Sequence, residues 1–373
     1  MDLTVSAAGV SAPVTARGTG IRPWLPASVL FFATMTWAVG ATWDIQWHAD
    51  VGPDTFFTLP HLFIYASAAI AGFTGLAVIL ATTAAGRAGR PVVSELGGAG
   101  IGVFGRTFTA PLGYLVTCLG AASFLLYGLW DLWWHSLYGF DAVIDSPPHI
   151  GLFLSSTVTS VGTVIVFAAA RAHRWGRLGT LASLGHLVVS SVITALAVQQ
   201  LSTGTVRWTT AVTAFIVVLL LTTGAGFDRW GATVAAAAAA LLQGLFWWFA
   251  PWAAQTYADF VDLPMRENIR IIPSTPSLVP LCLLPVGVGI DLLLRDAGRA
   301  GSVLPGLAGG LGGLVIAVCA PWQTVLIRDA RLPAVTVIVA TAIAGGVLGA
   351  LGGFLGRRFG VMLRLAAAEG DRA

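Results

Sequence analysis

Residues 24–61 read WLPASVLFFATMTWAVGATWDIQWHADVGPDTFFTLPH. The part from Trp24 to Trp43 carries no charge and is long enough to cross the hydrocarbon core of a bilayer. An acidic, aromatic loop follows, and Pro60-His61 opens a second apolar run to residue 85. The loop returns at Trp130–His149 as WDLWWHSLYGFDAVIDSPPH. Both copies read W-D-x-x-W-H, then a Gly and an Asp, then Pro-His at the head of a new apolar run. The spacings are Asp44-x3-His48-x12-His61 and Asp131-x3-His135-x13-His149. Four of the chain's six histidines lie in these two loops.

The whole chain behaves like this stretch. Of 373 residues, 56% are hydrophobic and only 10% charged, with a mean hydropathy of +0.83. A soluble domain carries about 25% charged residues, so lipid is the expected solvent for most of this surface. All 20 basic residues are Arg. They are dispersed among loops that flank apolar runs, which speaks for orientation in a bilayer and against nucleic acid. Cys118, Cys282 and Cys319 stand singly inside apolar runs and read as small hydrophobes.

The expected fold class is all-α, a polytopic integral membrane protein with about ten transmembrane helices and an internal helix-loop-helix repeat. The predicted spans are 24–43, 61–85, 110–134, 149–170, 178–201, 209–226, 231–253, 277–294, 303–320 and 334–355. No small-residue cleavage site follows the first run, so it reads as a retained helix. An N-terminus on the inside places fifteen Arg on the cytoplasmic side and five outside, which puts both termini in the cytoplasm of a plasma-membrane protein. Both motif loops then face the extracytoplasmic side. The organisation reads as a cytoplasmic tail (1–23), duplicated metal-site helix pairs (24–170), a further six-helix region (171–355) and a cytoplasmic tail (356–373). Ala250-Pro251-Trp252 and Ala320-Pro321-Trp322 read as helix ends on the outer side. Gly-rich stretches at 306–313 and 345–353 predict close helix packing.

The chemistry points to metal. Residues four apart share a helix face, so Asp44 meets His48 and Asp131 meets His135. His61 and His149 follow Pro in the first turn of the next helix, where the dipole favours a neutral, ligating imidazole. Two imidazoles and one carboxylate per copy suit a transition metal such as copper, iron or zinc better than calcium or magnesium. The competing reading is a headgroup belt built from Trp43, Trp47, Trp130, Trp133 and Trp134, with solvated Asp and His beside them. Duplication of the full ligand set favours metal.

These loops resemble the metal-binding region of the C subunit of the particulate methane monooxygenase and ammonia monooxygenase family. There, one site uses Asp, His four residues on and His thirteen further, the pattern of Asp44, His48 and His61. A second uses Asn, His four on and His fourteen further, a spacing that Asp131, His135 and His149 match with Asp in place of Asn. The resemblance covers residues 24–170; the six later helices have no counterpart in that subunit. It implies copper, activation of O2 to hydroxylate a small apolar molecule, and partner oxygenase subunits or a homo-oligomer in the bilayer. It singles out no catalytic residue. Other classes open to this pattern are a transition-metal uptake or delivery protein and a non-catalytic scaffold subunit. Asp50, Asp54, Asp141 and Asp145 are either partners that orient imidazoles or plain acidic loop residues. Tyr65, one turn after His61, is either an interfacial Tyr or a hydrogen-bonding neighbour of the metal. His186 reads as a neutral buried His bonded to a neighbouring helix. The chain has no P-loop, no G-x-S-x-G and no H-E-x-x-H, which removes those ATPase, hydrolase and zinc-protease classes.

Overall fold

A computed structural model describes residues 20–139, 144–196, 198–199, 204–267, 272–295 and 303–370, with side chains to residue 365. The described residues form ten α-helices: α1 (Trp24–Asp50), α2 (Leu59–Arg87), α3 (Leu112–Tyr138), α4 (Pro147–Ala169), α5 (Arg174–Leu196), α6 (Trp208–Phe227), α7 (Gly231–Phe260), α8 (Leu283–Leu294), α9 (Leu304–Arg328) and α10 (Val335–Gly370). Nine are long and apolar enough to cross a membrane. The fold is therefore all-α and polytopic, as the hydropathy pattern predicts. A short antiparallel hairpin, β1 (Gly100–Val103) and β2 (Phe108–Pro111), joins α2 to α3.

The two repeat units pack as pairs, α1 on α2 and α3 on α4, and join through α2 against α3. Residues 171–355 do not stand apart from them. Helix α5 is buried on nearly every side between α4, α6 and α7, and its Leu184, Val188 and Val192 share one core with Trp37 of α1 and Val217 of α6. Helices α9 and α10 approach so closely that a Cβ at Gly349 would lie 2.5 Å from the Gly309 carbonyl oxygen. The Gly-rich stretches are thus the contact face that their spacing predicts.

Three predicted features take another form. The run 277–294 is not a full crossing. Pro273, Pro276 and Pro280 deny it the amide donors that a helix needs, so it opens with a 3-10 turn at Pro276–Leu278, and α8 has only 12 residues. Pro251 and Pro321 do not end helices; α7 and α9 run past them to Phe260 and Arg328. The end of the chain, expected as a cytoplasmic tail, continues α10 as helix to Gly370. Residues 1–19 and 371–373 of the two predicted tails lie outside the described residues.

Non-helical backbone at membrane depth is tolerated only where protein groups satisfy it. Before α8, three glutamines do so. Gln243 of α7 donates to the carbonyls of Pro276 (3.0 Å) and Val279 (2.9 Å). Gln323 of α9 donates to Ser277 and Val279 (both 2.9 Å) and accepts from the Leu281 amide (2.9 Å). Gln46 of α1 accepts from the Ser274 amide at 2.7 Å. Gln243→Leu removes one donor from each of these carbonyls, which keep the Val279 amide (3.3 Å) and Gln323 (2.9 Å), at a cost of roughly 0.5–1.5 kcal/mol per bond lost. The expected result is a fall of a few degrees in the thermal midpoint of the detergent-solubilised protein. An unchanged midpoint would show that the broken segment is solvated by water instead.

Candidate metal centre

Each ligand set is assembled where one helix ends and the next begins. Asp44 and His48 occupy the last turns of α1, and Asp131 and His135 those of α3. The motif glycines turn the chain out of these helices. Gly52 (φ +107°) and Gly139 (φ +89°) both adopt backbone that other residues resist. A Cβ on Gly52 would also collide with the Arg266 guanidinium, which packs beneath it while its Nε donates to the Val51 carbonyl at 3.3 Å. On the far side of each loop, Pro60 and Pro148 sit in the first turns of α2 and α4 and place His61 and His149 at the third helical position. Ser146 caps α4 by accepting from the His149 amide at 3.4 Å.

In the first loop four side chains converge, not three. His61 Nε2 lies 3.0 Å from Asp44 Oδ1 and 3.2 Å from Asp54 Oδ2. His48 Nε2 lies 3.1 Å from Asp54 Oδ2 and 3.7 Å from Asp44 Oδ1. One ligand atom from each of Asp44, His48, Asp54 and His61 falls within 4.8 Å of all the others. The Asp54 carboxylate is 1% exposed. Asp44 Oδ1 and both Asp54 oxygens are buried, and no donor among the described residues is aligned on them as a hydrogen bond. Two buried carboxylates with oxygens aimed at a common point, rather than along N–H bonds, are arranged for a cation. His61 Nδ1 lies 3.0 Å from the Thr55 carbonyl. A carbonyl only accepts, so that nitrogen carries a proton and Nε2 is the nitrogen left to ligate an ion.

The second loop brings together three of the predicted residues. His135 Nε2 and His149 Nε2 lie 3.3 Å and 3.4 Å from Asp131 Oδ1 and 3.4 Å from each other. His135 Nδ1 lies 2.8 Å from the Gly139 carbonyl, the same orienting contact made by the other histidine of the motif. Asp145 does not join this group, and Asp141 lies outside the described residues. Among the described residues the first cluster has two carboxylates and the second has one.

Both clusters face one cavity of about 250 Å³. The rest of its wall is mostly apolar: Trp37, Ile64, Phe124, Ile144, Leu152 and Phe153. Tyr65 also lines it, stacked on Phe56 at 4.9 Å between ring centroids, with Asp44, Asp54 and Asp131 all within electrostatic reach of its hydroxyl. It stands between the clusters rather than at a lipid interface.

The sequence reading of the surrounding residues needs several corrections. Asp54 belongs to the ligand set itself. Asp50 does not orient an imidazole; it is buried and accepts from Gln46 Nε2 at 2.8 Å. Trp43 and Trp47 are not a headgroup belt. They are 7% and 1% exposed and pack on Tyr257 of α7, with ring centroids 5.6 Å and 4.9 Å away. Only Trp130 and Trp133 of that set are exposed. Tyr257 also receives the Leu59 amide at the start of α2 (3.3 Å), so α7 braces both helices of the first cluster. His186 is buried beside Thr34 of α1 and does not line the cavity. Gln46, Gln243 and Tyr257 carried no motif to mark them, because their partners are backbone groups and rings far along the chain.

No protein-family model, curated protein or solved structure matches this chain. The candidate centre therefore rests on its own geometry: two groups of His and Asp placed to hold metal ions in a membrane protein.

Proposed function

We propose that the chain is a copper-binding membrane protein of the monooxygenase type, which hydroxylates a small apolar molecule with O2 at the extracytoplasmic face, alone or beside other oxygenase subunits. The observation that carries this reading is that two His/Asp clusters share one small apolar cavity. Copper suits mixed imidazole and carboxylate donors, and when bound it would supply O2 activation. The chain's own residues do the rest. Asp44, His48, Asp54 and His61 would hold one ion, and Asp131, His135 and His149 another. The carbonyls of Thr55 and Gly139 fix the tautomer of one imidazole in each set. Phe124, Leu152 and Phe153 give the chamber an apolar wall with room for a small molecule.

The two clusters divide the work. Four protein donors fill a tetrahedral ion, whereas three leave a position open, the difference between structural and reactive sites in metalloproteins. The second cluster is the reactive one in this reading, and the first a stabilising ion. A transporter would need a polar path through the bilayer, and the wall beside the clusters at Trp37, Phe124 and Leu152 is apolar.

The test is copper loading of the purified full-length protein, followed by assay with a reductant, O2 and a short alkane. Expected are up to two copper ions per chain and O2-dependent alcohol formation that His135→Ala abolishes. Copper binding without oxidation, together with copper accumulation in proteoliposomes, would replace this reading with metal uptake. Full metal retention in His48→Ala/His135→Ala would reject the metal centre itself.

A further inference from the structure

On the membrane face opposite the metal clusters, the ends of α4, α6, α8 and α10 surround a cavity of about 520 Å³. Five arginines line it: Arg171, Arg229, Arg295, Arg357 and Arg364. A neighbouring pocket of about 310 Å³ shares Asp228 and Arg229 with it and adds Arg174 and Arg177. Seven guanidiniums therefore face two carboxylates, Asp228 and Asp291.

Both carboxylates also accept from backbone amides. Asp291 caps α7 from outside the helix, accepting from the amides of Ala232 (3.3 Å) and Thr233 (2.8 Å) and from the Thr233 hydroxyl (2.7 Å). Asp228 accepts from the Arg229 amide at 2.7 Å. No ion pair given among the described residues involves these seven arginines. Arg171 is held by its stack over Phe227, 5.6 Å from the ring centroid, and its Nε is buried with no hydrogen-bond partner among the described residues. Arg357 donates to the Ala225 carbonyl at 2.8 Å. The rule that gathers arginine on one face of a membrane protein accounts for their side. It does not account for their convergence from several helix ends on one cavity where, among the described residues, guanidiniums outnumber carboxylates.

We propose that this cavity binds a phosphate-bearing anion, presented as the head group of an anionic phospholipid. Guanidinium forks match phosphate oxygens in geometry as well as charge, and basic pockets between membrane helices are head-group sites. The second pocket supplies a place for the acyl chain. Leu178, Trp230 and Val234 form its outer wall and are 56%, 44% and 37% exposed, an apolar strip running from the arginines toward the bilayer. A free phosphate would use the same guanidiniums but leave this strip bare.

The experiment is native mass spectrometry and thermal melting of the full-length protein in detergent, with phosphatidylglycerol, phosphatidylcholine or inorganic phosphate added separately. Phosphatidylglycerol should bind at least 10-fold tighter than phosphatidylcholine and raise the melting point, with the difference shrinking at high salt. Arg229→Gln/Arg295→Gln changes two exposed arginines and should weaken phosphatidylglycerol roughly 30-fold, on the basis of about 1 kcal/mol per arginine. Arg229→Lys/Arg295→Lys should retain most of the affinity. Arg207→Gln/Arg331→Gln, on the other membrane face, should change nothing. Stabilisation by inorganic phosphate that competes with phosphatidylglycerol and is lost in the Gln pair would keep the anion site but make its ligand soluble. Equal binding of the two lipids with no response to phosphate would overturn the proposal. So would full phosphatidylglycerol affinity in the Gln pair. Should that pair not fold, the lipid discrimination and its salt dependence in the unaltered protein decide the matter.

Discussion

Asp54→Ala lowers the metal affinity of the first cluster by on the order of 100-fold and leaves the second cluster as it was. The estimate follows from a four-ligand ion bound by about 10–16 kcal/mol, so that one ligand carries about 3 kcal/mol, or two decades in affinity. The Asp54 carboxylate is 1% exposed and 3.1–3.2 Å from both imidazoles, so its loss is not made good by solvent. Chelator competition on the purified variant measures it. Asp50→Ala is the matching control. Asp50, four residues earlier at the end of α1, hydrogen-bonds Gln46 instead of facing the centre, so its loss should affect stability and not metal affinity. If Asp54→Ala keeps its affinity and Asp50→Ala does not, the ligand set drawn here is wrong.

Asp131→Asn is the second large effect. It removes the one carboxylate that the described residues give the second cluster and replaces an anionic donor with a neutral amide. One charge less beside a divalent ion, in a partly desolvated site, should cost on the order of 10- to 100-fold in affinity. The first cluster has its own two carboxylates and should stay loaded. The expected result is therefore loss of one of two ions at limiting copper, read by metal analysis and by the spectroscopic signature of the ion that remains. Because both clusters line one cavity, the alternative is concrete: if Asp131→Asn empties both, the two loops make a single coupled centre.

Much of the site was legible because it is local. Asp44 with His48, and Asp131 with His135, share a helix face by the 3.6-residue period alone. Proline marks the start of the next helix in both copies, so the third ligand could be placed without knowing how helices pack. Asp54 was not distinguishable from Asp50 on those grounds. Asp50 closes α1 and Asp54 lies in the loop just beyond it; Asp54 comes round to the centre through the turn at Gly52 over Arg266, a residue more than 200 positions later.

The sequence by itself determined the membrane class, nine of the crossing helices, the helix-loop-helix repeat and six of the seven candidate ligands. Each follows from the length of an apolar run or from a period within a few residues. Tertiary structure alone decided the rest. It broke the run at 277–294 and paired backbone groups there and just before it with glutamines from α1, α7 and α9. It withdrew Trp43 and Trp47 from the lipid interface by offering them Tyr257. It turned two separate loops to one cavity and gathered seven arginines from several helix ends into two adjoining pockets. The physical reason is common to all four. A buried polar group, ring or charge takes its state from the partner it meets, and those partners are set by helix packing across the chain, which no local pattern records.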